Sequence, residues 1–462
     1  MPSDASSTPT ASPAARSTAS PATPTAPAGY RALLRHREFA GLYASLTLTV
    51  AASTLSGFAL GTLVDRRVHS PFLTAVSMYG ATFATVLGAL TLMSVADGSR
   101  PRRTLVLLQC IALAGAAAQA VPGLPLAARF GLLLVAGFFQ SLGTGTRMGL
   151  LAEVLPQSSY ALARSLMNIT AGGMSVLGYA AGALLLDRLG PYRVFALAAA
   201  LTGLGLAVVA ATVRERSIRP TRRPGLRTTL SANAELLARP GRRALLLNLW
   251  VPNGLVVGCE ALFIPYAPDH AGTLLAAASA GLLLGDLAVG RLLTADGRRR
   301  AAFGLRLLLA APYLVFAFHP PLPLAAVAVC AAGAGFAATL PLQEQLLALT
   351  PDPVRGQVQG VESAGRMTWQ GLGAALAGAT AQWAGPAVAI NALAAVSVLV
   401  TVASRPFVRR EGAAARTGAA PAAGITAGGR APTPPDAGSR SVCGPDRRRR
   451  RRPGSGSPPP TP

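Results

Sequence analysis

Long apolar stretches separated by short charged clusters recur along most of the chain, and they constrain its fold more than any other feature. Stretches of about 18–25 residues are long enough to cross the roughly 30 Å hydrocarbon core of a bilayer as helices. Because an unpaired backbone N–H or C=O is costly in lipid, each span must be a helix or part of a closed barrel. Barrel strands would alternate apolar and polar residues, whereas a stretch such as 196–211 is apolar on all sides. We therefore predict an all-α integral membrane protein.

The apolar windows number about twelve and fall into two groups of six. Composition agrees with a membrane protein, because only 13% of the residues are charged, against about 25% in ordinary soluble domains. The sequence thus predicts two six-helix halves. The windows lie at 39–63, 72–95, 104–121, 130–150, 164–186 and 192–213, and then at 244–266, 272–294, 301–318, 322–346, 358–382 and 386–404.

Hydrophilic segments divide the chain into five parts. Residues 214–243 hold nine arginines and form a basic linker between the two groups of windows. Both ends are rich in Pro, Ala and small polar residues without an apolar stretch, so we expect them to be disordered. The predicted parts are a disordered segment 1–38, a six-helix half 39–213, the linker 214–243, a second six-helix half 244–404 and a disordered tail 405–462.

Arginine supplies the whole basic charge, since the chain contains no lysine and has a formal net charge of +24. The arginines cluster before the first window, after the second, in the linker and in the tail, while alternate loops such as 267–271 and 383–385 have none. By the positive-inside rule both termini, and the linker, should be cytoplasmic in a multi-pass protein of the plasma membrane. A nucleic-acid partner is not expected, because that would need a basic face on a folded soluble domain.

The chain also repeats itself after 195 residues. This shift places Pro156 on Pro351, Gly178 on Gly373, and Gly190-Pro191 on Gly385-Pro386. Two parallel halves with a pathway between them are a transporter layout. The repeat therefore indicates pseudo-symmetric halves.

Three short stretches carry a family resemblance. The loop after the second window reads Ala96-Asp97-Gly98-Ser99-Arg100-Pro101-Arg102-Arg103, the fourth window contains Gln140, Gly143 and Gly145, and the fifth contains Gly178-Tyr179-Ala180-Ala181-Gly182-Ala183. Together with the two six-helix halves, these stretches resemble the major facilitator superfamily. The resemblance implies a secondary active transporter that moves a small organic molecule by alternating access. The fifth-window stretch is similar to one in drug/proton antiporters, which favours export.

One position departs from that resemblance. Gly137 stands where the family has an arginine that is associated with proton coupling. Simple proton antiport through that arginine is therefore not expected here, and another ionisable group must couple any proton flow.

Four polar residues inside apolar windows are candidates for a substrate or proton pathway. Glu260 and Asp286 are acids within the seventh and eighth windows. An acid at the bilayer centre costs about 2.5–3.5 kcal/mol on insertion scales, so it should face water, a partner or a substrate. The alternative is a structural bond, for example between Asp286 and Arg291. Gln140 and Asn253 join the candidates because the resemblance implies that the fourth and seventh helices line the cavity.

A second set of candidates lies near the predicted cytoplasmic rim. By resemblance, Asp97, Arg102, Arg103, Arg147 and Asp296 could form a latch that holds the two halves in one state. The alternative role for these charges is to set the topology and to contact lipid headgroups.

Several function classes receive no support from the sequence. No phosphate-cradling glycine loop opens a soluble domain, and no hydrophilic segment is large enough for a catalytic domain. We expect no enzyme activity, no cofactor and no bound metal. The expected partners are a small-molecule substrate, protons as a candidate coupling ion, and the lipid bilayer, with the chain acting as a monomer. Uptake of a metabolite, and a non-transporting receptor or assembly protein, stay as alternatives.

The orientation can be tested by cysteine-accessibility mapping. Single cysteines placed between residues 214 and 243 should react with a membrane-impermeant reagent only from the cytoplasmic side, because the arginine clusters are retained there. Reaction from outside in intact cells would contradict the predicted orientation.

Overall fold

A computed structural model describes residues 30–96, 100–216, 237–238, 240–351 and 354–417. All of these belong to one compact unit, Met1–Ala420. The described residues form helices and their connections, so the predicted all-α class is confirmed.

The first half consists of one short helix and six long ones. Each long helix is followed by a tight connection, often with a proline at the start of the next helix, where its missing N–H costs nothing. The helices are α1 (Tyr30–Arg35), α2 (Arg37–Val68), α3 (Pro71–Ala96), α4 (Pro101–Gln119), α5 (Leu126–Val154), α6 (Gln157–Leu189) and α7 (Pro191–Thr212).

The second half has the same six spans, two of which include 3₁₀ segments. The helices are α8 (Pro240–Ala261), α9 (Phe263–Tyr266), α10 (Ala271–Leu292), α11 (Ala295–Ala310), α12 (Leu322–Gly335), α13 (Thr339–Ala348), α14 (Arg355–Ala384) and α15 (Pro386–Thr417). A 3₁₀ segment, Ala311–Phe318, continues α11, and a second one, Phe336–Ala338, joins α12 to α13.

Ten spans in the described part of the chain are long and apolar enough to cross a membrane, judged by length and composition alone. Helices α4 and α14 complete the predicted set of twelve but are more polar. Helix α4 carries Arg102 and Arg103 in its first turn, and α14 carries Arg355, Glu362 and Arg366. Both helices pack against neighbours of the bundle, so polar groups on them can be shielded from lipid by protein.

The bundle has two distinguishable ends. At one end α7 finishes and α8 begins, and we call it the linker end; the opposite end, where α2 gives way to α3, is the far end. Helix α2 also starts at the linker end, because the Arg37 side chain donates a hydrogen bond to the Ala211 carbonyl at 3.3 Å. This contact ties the start of the first half to its finish.

The two halves meet along two helix pairs, α3 with α14 and α6 with α10. A pseudo-twofold axis between the halves would exchange these two pairs. Near the far end, Gly378 of α14 lies against Phe72 and Ala75 of α3. The Ser70 hydroxyl donates to the Gln382 side-chain oxygen at 2.9 Å across the same seam.

The internal repeat has a conformational counterpart. Gly190 ends α6 with φ of 75°, and Gly385 ends α14 with φ of 86°. Both values lie in the left-handed region that favours glycine, and a proline starts the next helix in both cases. The Gly-Pro pairs aligned by the 195-residue shift therefore make the same corner in each half.

Glycines allow the closest helix contact within the second half. A Cβ atom on Gly373 of α14 would collide with the carbonyl oxygen of Gly254 on α8, and one on Gly258 would meet the carbonyl of Gly373. The hydrophobic effect does not drive helices together in lipid, because the lipid tails are as apolar as the side chains. Close approach of two backbones instead supplies the van der Waals contact that holds the helices together. The small residues of the eleventh window thus pack α14 on α8.

Helices extend past two of the expected segment boundaries. Residues 30–38, which we expected to be disordered, contain α1 and the start of α2, because Leu33 is buried in a cluster with Phe39 and Met167. Helix α15 continues to Thr417, beyond the expected end at 404, and the Arg405 guanidinium stacks over the Phe303 ring at 4.3 Å. Residues 1–29, 217–236 and 418–462 lie outside the described residues.

The glycine contact generates a test with a matched control on the same helix. Gly373→Val should lower the free energy of unfolding by about 1–3 kcal/mol, the usual cost of overpacking, because the new side chain meets the backbone of α8. Gly360→Val, where a Cβ would meet nothing within 4 Å, should have little effect. Thermal unfolding in detergent measures both; equal melting temperatures would contradict the role assigned to the contact.

Candidate functional site

Glu260 lies where the two halves meet. It is the penultimate residue of α8, and its side chain is half-buried. The carboxyl group interacts with the hydroxyl groups of Tyr79 on α3 and Tyr313 in the 3₁₀ segment that continues α11. One tyrosine comes from each half, so the carboxyl group lies beside hydroxyl groups of both halves.

A third tyrosine lies in the same part of the bundle. Tyr179 of α6 is close enough for its hydroxyl to interact electrostatically with Glu260, and its ring makes an edge contact with Phe58 at 6.1 Å. Gly178 and Gly182, on either side of it, lie against Thr54 and Phe58 of α2. The glycines of the stretch that resembles drug/proton antiporters therefore bring α6 onto α2 and set the position of Tyr179. We call Glu260, Tyr79, Tyr179 and Tyr313 the Glu260 cluster.

Tyr313 is the fully buried member of the cluster. Its ring stacks on Phe263 at 6.1 Å. Its hydroxyl makes no hydrogen bond in the described part of the chain, and the Glu260 carboxyl group is one of the polar groups near it. It sits in a 3₁₀ segment inside a membrane span, a local geometry that often marks a hinge.

Asp286 lies on α10, on the side of the helix roughly opposite to Leu284. The side chains of Asp286 and Leu284 are both exposed, and that of Leu284 is 59% exposed. Because two residues turn a helix by about 200°, these two side chains point to nearly opposite sides of α10. Gly285 between them packs on Ala334 of α12, and Leu283 approaches Gly172 of α6. Asp286 and Leu284 are therefore exposed on different sides of α10. No ion pair of Asp286 occurs among the described residues, so the suggested bond to Arg291 is not seen.

Asn253 has a packing role as well as a polar one. It is buried and accepts a hydrogen bond from the Gln370 amide of α14 at 2.9 Å. The proline and glycine beside it do not open α8, which continues to Ala261. The Ser397 hydroxyl of α15 bonds to the Pro252 carbonyl at 3.4 Å, and Gly254 packs on Trp369. Side chains of α14 and α15 therefore cover the turn of α8 that contains Pro252, Asn253 and Gly254.

Gln140 and Arg147 line a pocket inside the first half. Both side chains come from α5, and the pocket is bounded by α2, α4 and α7 on its other sides. The structure thus groups Arg147 with Gln140 rather than with the other expected latch residues. The lining residues are Leu42, Ser45, Thr49, Leu105, Leu108, Gln109, Gln140, Gly143, Arg147 and Val209.

The expected latch residues do not form one cluster. Arg102 and Arg103 pair with Glu215, which follows α7, at 3.6 and 3.8 Å. Asp296 is in the other half, where it pairs with Arg299 at 3.1 Å. Asp97 lies outside the described residues.

Sequence reasoning missed the acids that pair with arginines near the linker end of the first half. Glu38 accepts a hydrogen bond from the Arg214 amide at 2.9 Å and binds the Arg216 guanidinium, which also approaches Glu153 at 3.8 Å. These acids lie at helix ends far apart in sequence, so no spacing rule connects them. The local pair Glu362 with Arg366 could be expected from its i,i+4 spacing, and its atoms are 3.1 Å apart.

A metal site is not apparent in the described residues, where no three His, Cys, Asp or Glu side chains form a group that could hold an ion.

The fold is similar to that of solved membrane transporters. A POT family transporter in complex with a thioalcohol-conjugated peptide matches with a TM-score of 0.67 and 12% identity, over 81% of this chain and 96% of that one. The nucleoside transporter NupG gives 0.64 and 14%, over 79% and 98%. A bacterial homologue of the human lysosomal transporter Spinster gives 0.54 and 17%, over 83% and 97%. No family model matches the sequence, and no curated protein matches it.

The latch hypothesis can be tested although Asp97 lies outside the described residues. Asp97→Asn should change the transport rate far more than the amount of protein in the membrane, since it removes a charge near Arg102 and Arg103 in sequence. Glu215→Gln is the comparison, because it removes the acid that those arginines contact within one half. Unchanged transport in Asp97→Asn would leave that residue a topological role alone.

Proposed function

We propose that this chain, which has the fold of the major facilitator superfamily, is a secondary active transporter that moves a small organic molecule across the cytoplasmic membrane by alternating access. Both termini would then be cytoplasmic, and the linker end would face the cytoplasm. The similar structures are those of transporters for peptides and nucleosides.

The observation that carries the proposal is the Glu260 cluster. An ionisable carboxyl group in a membrane span is costly unless it has partners. Here hydroxyl groups from α3 of the first half and from the 3₁₀ segment of the second half both face it. Whatever binds Glu260, a proton or a cationic group of the substrate, competes with these hydroxyls. Occupancy of Glu260 is thereby linked to the contact between the halves.

The geometry of the seams is suited to a rocking motion. The contacts of α3 with α14 and of α6 with α10 include small residues such as Gly378, Gly272 and Gly172, which let the helices approach closely. Asp286 on α10 is a second acid within a membrane span of the same half. With Gly137 in place of the family's arginine, these two acids are the groups that we assign to proton coupling.

Export is the direction that we propose. The support is the fifth-helix stretch around Tyr179, which resembles that of drug/proton antiporters and whose glycines pack α6 on α2. Uptake would use the same architecture in reverse. The direction is therefore decided by transport into inside-out and right-side-out vesicles under one imposed pH gradient.

Substitution of Glu260 tests the proposal directly. Glu260→Gln keeps the size and hydrogen-bonding capacity of the side chain but cannot titrate. In proteoliposomes with an imposed pH gradient and a panel of candidate compounds, we expect the pH dependence of transport to disappear, or the affinity for a cationic substrate to fall at least tenfold. The control is Asp269→Asn, which removes an exposed acid from the loop after α9.

Two results would count against this function. If the wild-type protein moves no compound under any gradient, a receptor or assembly role gains support. If Glu260→Gln transports with the rate, affinity and pH profile of the wild type, Glu260 is structural and Asp286 is the next acid to replace.

A further inference from the structure

The pocket in the first half presents hydrogen-bond donors on one wall. Gln140 and Arg147 are seven residues apart on α5, which places them on the same face of the helix, two turns from each other. Gly143 lies between them, and a Cβ there would make only ordinary contact with Leu108 at 3.5 Å. The absence of a side chain at Gly143 keeps the space between Gln140 and Arg147 open.

The opposite wall is polar and already partly paired. The Gln109 amide donates to the Ser45 hydroxyl at 3.2 Å and to the Thr49 hydroxyl at 3.1 Å. The Thr49 hydroxyl donates a hydrogen bond to the Ser45 backbone carbonyl at 2.7 Å. Among the described residues the Ser45 hydroxyl accepts but does not donate, so its hydrogen is available. None of the residues that line the pocket is acidic.

Arg147 differs from the other arginines that are at least half-buried in the first half. Arg102 pairs with Glu215, Arg216 pairs with Glu38, and Arg129 bonds to three backbone carbonyls and the Gln119 side chain. Arg147 makes no ion pair or hydrogen bond within the described part of the chain. A half-buried guanidinium without a counter-ion is costly in a membrane protein, and an anion in the pocket would offset that cost.

We propose that this pocket binds a carboxylate or phosphate group, with Arg147 as the counter-ion and Gln140 and Ser45 as hydrogen-bond donors. Guanidinium groups pair with both oxyanions through two parallel hydrogen bonds. The further assignment, that the transported substrate is a small organic molecule bearing such a group, rests on the proposed function. An anionic lipid headgroup carries the same chemistry and is the other source of the ligand.

Occupancy of the pocket can be measured without transport. In a variant with Cys110, Cys259, Cys330 and Cys443 replaced by alanine, Leu108→Cys places one thiol on the pocket wall without filling the space beside Gly143. In phosphatidylcholine vesicles, benzoate or inorganic phosphate at tens of millimolar should slow maleimide labelling of this thiol at least twofold. Sodium chloride at equal ionic strength is the salt control, since screening alone would act equally in both solutions.

Two arginine variants identify the counter-ion. Arg147→Gln in the same background should abolish the protection by benzoate and phosphate, while Arg164→Gln, which removes an exposed arginine on α6, should preserve it. Thermal unfolding of each variant confirms that the proteins are folded. Vesicles containing phosphatidylglycerol without added anion form a further arm. Slow labelling there that depends on Arg147 supports the anion site and assigns it to a lipid headgroup.

Three outcomes would overturn the proposal. The first is no protection by benzoate, phosphate or phosphatidylglycerol in the parent variant. The second is protection that persists in Arg147→Gln. The third is protection that appears only after Asp97→Asn, because Asp97 would then be the partner of Arg147. Glu260→Gln should leave the labelling unchanged, so a failure of the transport proposal is distinguishable from a failure of this one.

Discussion

Close approach of helix backbones at glycines is the constraint on which the rest of the structure depends. Lipid offers no hydrophobic drive for helices to associate, so contact area must come from backbones that can touch. Gly373 lies against Gly254, which fixes α14 on α8, and Gly378 lies against Phe72, which fixes α14 on α3. Helix α14 thereby holds α8 next to α3. Glu260 near the end of α8 and Tyr79 on α3 meet as a consequence of this packing, and a bulkier residue at the contacts would separate them.

The class, the helix count and the two-half organisation could be predicted because they follow from the cost of unpaired backbone in lipid and from the length of the apolar windows. The acids at Glu260 and Asp286 stood out for the same reason, since a charge inside such a window is conspicuous. The tyrosines around Glu260 could not be found in this way. Tyr79, Tyr179 and Tyr313 are far apart in sequence, and a tyrosine in an apolar window is unremarkable until packing places its hydroxyl. The partners Glu38 and Glu215 were missed because ion pairs between helix ends depend on tertiary geometry.

Charged contacts are distributed unevenly between the interior of each half and the seam. Arg298 with Glu344 and Glu362 with Arg366 each join residues of the second half, and Glu38 of the first half binds Arg216, which follows α7. These pairs keep their geometry when one half rotates as a rigid body against the other, so they impose no penalty on the motion. The described polar contacts across the seam are of another kind, between the neutral side chains of Ser70 and Gln382 and between hydroxyls and Glu260.

In the proposed mechanism, this distribution makes Glu260 the group whose environment changes when the halves move. Under the proposed mechanism, separation at the far end would withdraw Tyr79 on α3 and leave Tyr313 of its own half as the remaining hydroxyl beside Glu260. A carboxylate that loses a donor in a low-dielectric setting must gain a proton, a cation or water, because a buried charge without partners is costly. A proton or a cationic substrate supplied at that moment would lower the barrier to opening, whereas an empty carboxylate would hold the seam closed. A single acid facing hydroxyls from both halves is therefore sufficient to link occupancy to the direction in which the protein is open.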